Sequence, residues 1–382
     1  MEEIVRIYEN DIHTTQARRF FRDYYKELNL DEVGTDDDAQ PSTESASCPD
    51  VSNHLISVVV PTFNRKEMLA KAVDSVLAQD YPKIEIIIIN DCSTDGTFEY
   101  LTALSDAHDN IKIIHNETHK DPGYSRRLGY IASRGEYITF LDDDDYYIDN
   151  EFFKKAVQTH LAHQNLSFVG ANAFIEKIAK GKLVTKNLNR TGVINKDDYL
   201  NNIPVTYNKP LSTFTSIFNK SNLDKVGFKD MFMMNDSSIY YRSLLTSDAY
   251  LLKDIIGVHV VHATNFSKNL DMEFIVKNVE EKQWVWEEAK KRNILLNPSW
   301  FANQVFLTFR YYIKGTQPNL KDYLYIMKWI MKNKGEGKWP LIFKITKYFA
   351  GITYKLTRNW LGRKRRDLFT FTDQFTKTNT GQ

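Results

Sequence analysis

Four consecutive aspartates, residues 142–145, directly follow the apolar segment "YITFL" (137–141). Like charges repel one another, and a carboxylate that is buried without a partner is costly. The cluster must therefore either lie in water at the end of a strand or bind a positive charge. Hard divalent cations prefer oxygen ligands, and they accept one or two carboxylates when a phosphate group supplies the remaining ligands. An Asp-x-Asp pair at a strand end is therefore a candidate site for a metal ion shared with a diphosphate.

The spacing of these aspartates matters for that chemistry. Side chains two positions apart on an extended strand point to the same face. Asp142 and Asp144 would then share one face and Asp143 and Asp145 the other, unless the strand ends within the cluster. A solvated acidic turn is the alternative, and the Asp-x-Asp pattern alone does not decide between the two. The position of the cluster directly after an apolar strand favours the metal.

The cluster is positioned by alternating strands and helices. Apolar, β-branched runs, which are typical of strands buried on both faces, alternate with segments of helical spacing. The predicted strands are 55–63, 84–91, 111–116 and 136–143, and the predicted helices are 66–79, 93–107 and 125–135, the second of which begins with a capping residue. This order indicates parallel βαβ units and a doubly wound sheet.

Polar residues follow several of these strands, where ligands bind in doubly wound sheets. They are Thr62, Asn64 and Arg65 after the first strand, Asn90, Asp91 and Ser93 after the second, and residues 142–145 after the fourth. Their convergence predicts a binding site at one edge of the sheet. The sequence has no Walker loop, and it has no Gly-x-Gly-x-x-Gly after the first strand. This excludes P-loop enzymes and ordinary dinucleotide dehydrogenases.

Three ordered segments closely resemble family 2 glycosyltransferases of the GT-A fold. They are "ISVVVPTFNRKEMLAKAVDSVLAQDYPKIEIIIINDCSTDGT", "SRRLGYIASRGEYITFLDDDD" and "LDKVGFKDMFMMNDSSIYYRSL". The resemblance covers roughly residues 55–270. It implies an α/β fold with a GT-A type doubly wound, mostly parallel sheet. It also implies inverting transfer of a hexosyl or N-acetylhexosaminyl group from a nucleotide diphosphate sugar, usually with Mn²⁺ or Mg²⁺.

The resemblance assigns donor-binding residues. Pro61, Thr62 and Asn64 match the strand end that lines the nucleotide pocket, and Asp91 matches the aspartate that binds the base. A carboxylate that accepts from an imide N–H suits uracil, so a UDP-sugar is the expected donor. Arg126 matches an arginine near the donor.

The resemblance also assigns the metal ligands. Asp144 is expected to bind the metal directly. Asp142 is expected to bind the metal or to face the ribose or a metal-bound water, and Asp143 is counted with the donor-binding residues. His262 matches a histidine that can approach the metal or the diphosphate, although a lone histidine at a strand end is more often an ordinary polar residue.

Asp236 is the expected catalytic residue. It matches the family's general base, which takes the proton of the acceptor hydroxyl. Asn235 stands where the family usually has glutamate, and Arg127 stands where it usually has asparagine. The alternative for Asp236 is a helix N-cap, since "NDSS" precedes a segment of helical spacing. The departures from the family pattern at Asn235 and Arg127 leave a second hypothesis open, in which the chain is a non-catalytic, nucleotide-binding scaffold of a glycan-assembly complex.

The rest of the chain supplies the surroundings of this domain. We predict a helical N-terminal extension (1–30), an acidic flexible linker (31–54), the GT-A domain (55–292), a helical, basic and aromatic C-terminal region (293–368) and a flexible tail (369–382). The two cysteines do not form a disulfide scaffold, and this indicates a reducing compartment. The sequence has no run of 18 apolar residues, so no spanning helix is expected.

Residues 321–366 combine aromatic side chains with 13 lysines and arginines and only two acids. This composition suits nucleic acid, an anionic membrane surface or a helical cap packed on the catalytic domain. Lipid-linked acceptors are common in the family that the chain resembles, and this favours the membrane surface over nucleic acid but not over the cap. Processive members of that family carry transmembrane helices and a Gln-x-x-Arg-Trp motif that this sequence lacks, so the resemblance implies a cytoplasmic, non-processive enzyme, peripheral at the inner face of the membrane. It would use a surface-polysaccharide or lipid-linked glycan as the acceptor.

Overall fold

The computed structural model describes residues 49–231, 233–262, 271–315, 320–333, 339 and 341–351. The chain divides into two compact units, Met1–Ala263 with Lys291–Leu295, and Thr264–Lys290 with Leu296–Gln382. The predicted N-terminal extension, most of the predicted linker and the predicted tail lie outside the described residues. The predicted domain boundaries stay predictions.

The first unit contains a mixed β-sheet with flanking helices. Its strands are β1 (Ile56–Thr62), β2 (Ile84–Asn90), β3 (Ile111–His115), β4 (Tyr137–Phe140), β5 (Tyr146–Tyr147), β6 (Phe168–Lys177), β7 (Lys182–Thr185), β8 (Gly192–Ile194), β9 (Ser216–Asn219) and β10 (Ala249–Val261). Its helices are α1 (Lys66–Leu77), α2 (Thr97–Ala107), α3 (Pro122–Ala132), α4 (Phe152–Ala162), α5 (Lys196–Asn202), α6 (Lys220–Asp224) and α7 (Asp236–Ser243).

The sheet order is β3-β2-β1-β4-β9-β6-β10-β5, with β7 beside β6 and β8 beside β10. Strand β1 runs parallel to β2 and β4, and β2 runs parallel to β3. Strand β9 is antiparallel to both β4 and β6, whereas β6 and β10 are parallel. The predicted doubly wound α/β fold is confirmed. The carboxyl ends of β1, β2 and β4 consequently lie at one edge of the sheet.

Apolar packing on both faces holds this edge in place. Every residue of β1 is buried, and α1 places Leu69, Val73 and Val76 against the core at helical spacing. Helix α3 approaches the sheet closely at Gly129, where an added Cβ would lie 2.3 Å from Val59 Cγ1. This close approach brings the first turns of α3, and with them Arg126, to the carboxyl edge of the sheet.

Two helices begin at other residues than the sequence pattern indicated. Helix α2 begins at Thr97 and not at Ser93, because Gly96 precedes it in the left-handed region at φ 85°. Helix α3 begins at Pro122, where the carboxylate of Asp121 accepts a hydrogen bond from the backbone N–H of Tyr124 at 2.9 Å. Both changes concern loops at the carboxyl edge.

The four aspartates lie beyond the end of a strand. Strand β4 ends at Phe140, and the backbone N–H of Asp145 donates to the carbonyl oxygen of Asp142 at 3.1 Å. The prediction that the strand continues to residue 143 was therefore wrong. The chain turns within the cluster, so the alternation of faces on an extended strand does not apply to it.

The second unit is helical, which confirms the helical character predicted for the described part of the C-terminal region. Its helices are α8 (Met272–Lys291), α9 (Trp300–Gly315) and α10 (Leu320–Asn333), and residues 341–351 are also helical. Trp286 stacks on Trp300 with ring centroids 6.1 Å apart. Tyr323 and Thr346 share a hydrogen bond of 2.9 Å between their hydroxyl groups. Among the described residues, no helix has the length and apolar character needed to cross a membrane.

Candidate active site

The end of β1 is joined to the aspartate cluster by side-chain hydrogen bonds. Thr62 Oγ1 donates to Asp143 Oδ2 at 2.9 Å. Arg65 Nη1 donates to Asp143 Oδ1 at 2.8 Å and to Asp144 Oδ2 at 3.1 Å. Pro61 is buried in β1 and has no polar side-chain atom. Two of the four aspartates are thus tied to the first strand.

Asn64 joins the loops that follow β1 and β2. Its backbone N–H donates to Ser93 Oγ at 2.9 Å, and its Oδ1 accepts from the backbone N–H of Thr94 at 2.7 Å. The φ angle of Asn64 is 52°, a conformation that asparagine tolerates better than most residues. The side-chain oxygen therefore has a structural role at the rim of the predicted nucleotide pocket.

Asp91 is buried at the end of β2 and accepts several hydrogen bonds. Asn116 Nδ2 donates to its Oδ1 at 2.7 Å, and the backbone N–H of Lys120 donates to both carboxylate oxygens at 3.0 Å. His119 Nδ1 lies 2.9 Å from Asp91 Oδ2, and the His119 ring lies 4.1 Å from that of Phe63. Asp91 is therefore held by several hydrogen bonds, and His119 connects it to the exposed ring of Phe63.

Arg126 connects the aspartate cluster to the predicted base. Its guanidinium donates to Asp142 Oδ1 at 2.5 Å, to Asp236 Oδ1 at 3.3 Å and to the carbonyl oxygen of Met234 at 3.0 Å. Burial opposes the charge of the guanidinium, but the two carboxylates outweigh it and hold the pKa of Arg126 above its usual range. One buried cation thus fixes two predicted site residues relative to each other.

The capping role considered for Asp236 belongs to its neighbour. Asn235 is the N-cap of α7, and its Oδ1 accepts from the backbone N–H of Ser238 at 3.0 Å. Asp236 is the first residue of the helix, and its side chain is 30% exposed. Burial lowers the pKa of Lys209, and Asp236 opposes that shift, so a second cation lies near this carboxylate. The Asp236 carboxylate is therefore positioned by the helix and accessible from solvent.

Two histidines pair with the cluster: His259 in β10 and His262 directly after that strand. His262 Nε2 lies 2.8 Å from Asp144 Oδ2. Asp145 is fully buried, accepts from the backbone N–H of Val260 at 3.0 Å and lies 3.0 Å from His259 Nδ1. Burial opposes the charge of His259, but Asp145 outweighs it and raises the pKa of His259 to about 9. The Asp145–His259 pair anchors the turn to β10.

Burial and mutual repulsion disfavour the ionised form of the clustered carboxyl groups. Burial raises the pKa of Asp143 to about 6, although Arg65 opposes the shift. Burial, reinforced by the neighbouring carboxylates, raises the pKa of Asp144 to about 8. Ligand atoms of Asp142, Asp144 and Asp145 lie within 4.8 Å of one another. These carboxylates, with the imidazole of His262 on Asp144, are donors that suit Mn²⁺ or Mg²⁺, so the residues fit a divalent cation.

The structure brings most of the predicted residues to one edge of the sheet. Two hydrogen-bonded groups meet at the aspartate cluster. Arg126 joins Asp142 to Asp236, and Arg65 joins Asp143 and Asp144, which contact Thr62 and His262 respectively. Asp91 lies at the adjacent strand end. Sequence reasoning named Arg65 and Asp145 only among the polar residues that follow the strands, and it placed none of Phe63, His119 and His259 in the site. Arg65 was recognisable only by its place after the first strand, and the partners of the others are distant in the sequence.

Comparisons with known proteins give a family match and named relatives. Residues 57–246 match the model of the family "Glycosyl transferase family 2". The chain is 33% identical over 205 residues to the GalNAc(5)-diNAcBac-PP-undecaprenol beta-1,3-glucosyltransferase of Campylobacter jejuni, covering 52% of this chain and 62% of that protein. It is 34% identical over 124 residues to the Escherichia coli UDP-Glc:alpha-D-GlcNAc-diphosphoundecaprenol beta-1,3-glucosyltransferase WfaP, covering 32% of this chain and 47% of that protein. The matches thus span about half of each relative, or somewhat more.

A solved structure shows the same fold. The crystal structure of Staphylococcus aureus TarS 1–349 in complex with UDP-GlcNAc superposes with a TM-score of 0.53 at 18% identity, over 77% of this chain and 80% of that one.

Proposed function

Because the chain belongs to glycosyltransferase family 2 and has its GT-A fold, we propose that it transfers a sugar from a UDP-sugar to a hydroxyl group of a glycan acceptor, with inversion at the anomeric carbon. One observation carries the proposal. Arg126 holds both Asp142 of the cluster and the half-exposed Asp236. A group able to take a proton therefore lies next to carboxylates able to hold a metal–diphosphate.

The pocket around Asp91 supports a uridine nucleotide. Its carboxylate accepts from Asn116 and from the backbone N–H of Lys120, which fixes its position at the end of β2. Phe63 is 39% exposed and offers a ring face for stacking of a base. The UDP-GlcNAc named for TarS and the UDP-Glc named for WfaP point to the same class of donor.

Asp144, Asp142 and His262 would hold the divalent cation. When bound, such an ion acts as a Lewis acid that neutralises the charge of the departing diphosphate. Arg126 keeps Asp142 in place for this role, and the Asp145–His259 pair anchors the turn that carries Asp144.

Asp236 would act as the general base. Its carboxylate takes the proton of the acceptor hydroxyl while the hydroxyl oxygen forms a bond to the anomeric carbon. The bond between that carbon and the diphosphate oxygen breaks, and UDP leaves with the electron pair. A positioned base contributes about 10²- to 10⁴-fold in rate.

A lipid-linked glycan is the acceptor that we propose. The relatives from Campylobacter jejuni and Escherichia coli are both named for undecaprenol diphosphate-linked substrates. In the second unit, α10 buries Ile326 and Ile330, whereas its exposed face combines apolar side chains with lysines. The exposed residues are Lys321, Leu324, Tyr325, Lys328, Met331 and Lys332. This combination suits the anionic inner face of a cytoplasmic membrane, and Trp339 and Phe343 are exposed as well.

Turnover of a substrate panel tests the proposed reaction. UDP release would be measured for several UDP-sugars with Mn²⁺ and with undecaprenyl diphosphate-linked saccharides as acceptors. Asp236→Asn should reduce turnover by about 10²- to 10⁴-fold while retaining UDP binding. The exposed Asp230→Asn is the matched control and should turn over like the wild type. Undiminished turnover of Asp236→Asn would contradict the assignment, and UDP binding without turnover on any acceptor would favour the scaffold hypothesis.

Vesicle binding tests the proposed membrane contact. Each lysine near an anionic surface contributes about 1 kcal/mol, so removing three should weaken binding to phosphatidylglycerol vesicles by roughly 100-fold. The test variant is Lys321→Gln/Lys328→Gln/Lys332→Gln, and the control from the first unit is Lys112→Gln/Lys180→Gln/Lys182→Gln. Equal co-sedimentation of these two triple variants with such vesicles would contradict the proposal.

A further inference from the structure

Arg65 places a positive charge within the proposed metal site. It follows β1, and its guanidinium spans two neighbouring carboxylates, with 2.8 Å to Asp143 Oδ1 and 3.1 Å to Asp144 Oδ2. Its side chain is 23% exposed, whereas both aspartate side chains are 6% exposed. The guanidinium therefore lies between the buried carboxylates and the solvent.

Arg65 and His262 contact the same carboxylate oxygen. Asp144 Oδ2 lies 2.8 Å from His262 Nε2 and 3.1 Å from Arg65 Nη1. A cation that binds this oxygen must displace at least one of these two contacts. A neutral imidazole can itself ligate a metal ion, whereas a guanidinium has no acceptor and remains charged. Arg65 is therefore the contact that opposes a metal ion at Asp144.

We propose that Arg65 is an internal counter-ion that neutralises Asp144 until a divalent cation and the donor diphosphate arrive together. This inference rests on the proposed function, because it presupposes the metal site. Arg65 keeps its contact with Asp143 when it releases Asp144, and the guanidinium can then bind a phosphate oxygen, for which its geometry is well suited. Arg65 is thus a positioning residue that couples metal binding to nucleotide binding.

The coupling follows from the charges. Without nucleotide, a divalent cation at Asp144 takes this carboxylate from Arg65 and lies next to the positive guanidinium. With nucleotide, the diphosphate replaces Asp144 as a partner of Arg65. The wild-type protein should therefore bind Mn²⁺ weakly alone and tightly with UDP. Removal of the charge should strengthen Mn²⁺ binding in the absence of nucleotide.

The experiment measures Mn²⁺ binding to the purified full chain by electron paramagnetic resonance of the free ion, with and without UDP. Arg65→Gln removes the charge and keeps a similar length. Arg134→Gln is the matched control, because Arg134 also pairs with a carboxylate, that of Glu85, at 2.9 Å. Arg65→Met also removes the charge, and it serves as the second variant should Arg65→Gln fail to fold by circular dichroism.

Without UDP, Arg65→Gln should bind Mn²⁺ at least about tenfold more tightly than the wild type, because a neighbouring charge shifts ion affinity by this order. Arg65→Met, where it is needed, should behave like Arg65→Gln, and Arg134→Gln should match the wild type. Equal or weaker Mn²⁺ binding by Arg65→Gln, or by Arg65→Met where it is the variant that folds, overturns the inference. The proposed function survives that result if the wild type binds Mn²⁺ with UDP. No Mn²⁺ binding by the wild type even with UDP overturns both.

Discussion

Replacement of Arg126 by methionine tests the bridge between the aspartate cluster and the predicted base. Methionine fills much of the same volume but removes the charge and the hydrogen bonds to Asp142, Asp236 and the carbonyl oxygen of Met234. Loss of one partner from a buried ion pair costs about 3–5 kcal/mol. Because each carboxylate is 30% exposed, water compensates for part of the loss, and the lower end of that range applies.

The effect should be measurable as a melting temperature. A loss of about 3 kcal/mol lowers the melting temperature of a unit of roughly 200 residues by about 6–12 °C. The comparison variant is Arg134→Met, which also loses an arginine–carboxylate pair. The side chain of Arg134 is 79% exposed, and Glu85 keeps its hydrogen bonds from the Ser57 hydroxyl and from the backbone N–H of residue 134, so the loss should cost about 1 kcal/mol or less. Melting followed by circular dichroism would compare both variants with the wild type.

The two variants together can refute this reasoning. If Arg126→Met melts within about 2 °C of the wild type, the buried bridge does not stabilise the unit as calculated. If Arg134→Met is destabilised as strongly as Arg126→Met, burial is not the cause of the difference. In either case Arg126 would lose its assigned part in holding Asp142 and Asp236 together.

Three further predictions concern other parts of the first unit. Burial lowers the pKa of His160 to about 4, whereas the pKa of a histidine in the unfolded chain is about 6.5. The free energy of unfolding should therefore decrease by up to about 1.4 kcal/mol per pH unit as the pH falls below about 6.5. Urea unfolding between pH 7 and 5 should show a smaller decline for His160→Gln, and an unchanged decline would contradict this. Gly129→Ala should cost about 1–3 kcal/mol by overpacking against Val59, and an unchanged melting temperature would count against it. Phe63→Ala should weaken UDP binding roughly tenfold in calorimetry, unlike the exposed Phe98→Ala, and equal affinities would exclude stacking on Phe63.

The first half of the fold could be predicted from the sequence because its signals are local. Runs of β-branched residues at 56–60 and 84–89 can be stable only as strands buried on both faces, and they are separated by a helix of clear periodicity. The polar residues after them must then meet at one edge. Residues such as Asp91 and Asp142 were placed by this rule alone.

The second half could not be predicted in the same way because its order depends on distant contacts. Strand β9 lies between β4 and β6 and is antiparallel to both, although many residues separate it from either strand. A segment such as "STFTSIFN" carries no local sign of which strands it joins. The end of β4 at Phe140 depends in turn on a backbone hydrogen bond within the aspartate cluster.

The side-chain pairings within the site could not be predicted from the sequence either. Arg65 and His259 are ordinary polar residues in a local pattern, and their roles come from carboxylates 78 and 114 positions away. The assignment of the cap to Asn235 rather than Asp236 required the helix start itself. A residue's type indicated the chemistry that it could perform, whereas its partners decided the role.

The most direct test of the central claim is calorimetric binding of UDP with and without Mn²⁺, for the wild type and for Asp144→Asn. The account predicts that Mn²⁺ tightens UDP binding to the wild type and has little effect on Asp144→Asn, because the carboxylate at the sheet edge links the ion to the diphosphate. Equal tightening of UDP binding by Mn²⁺ in both proteins would contradict the account.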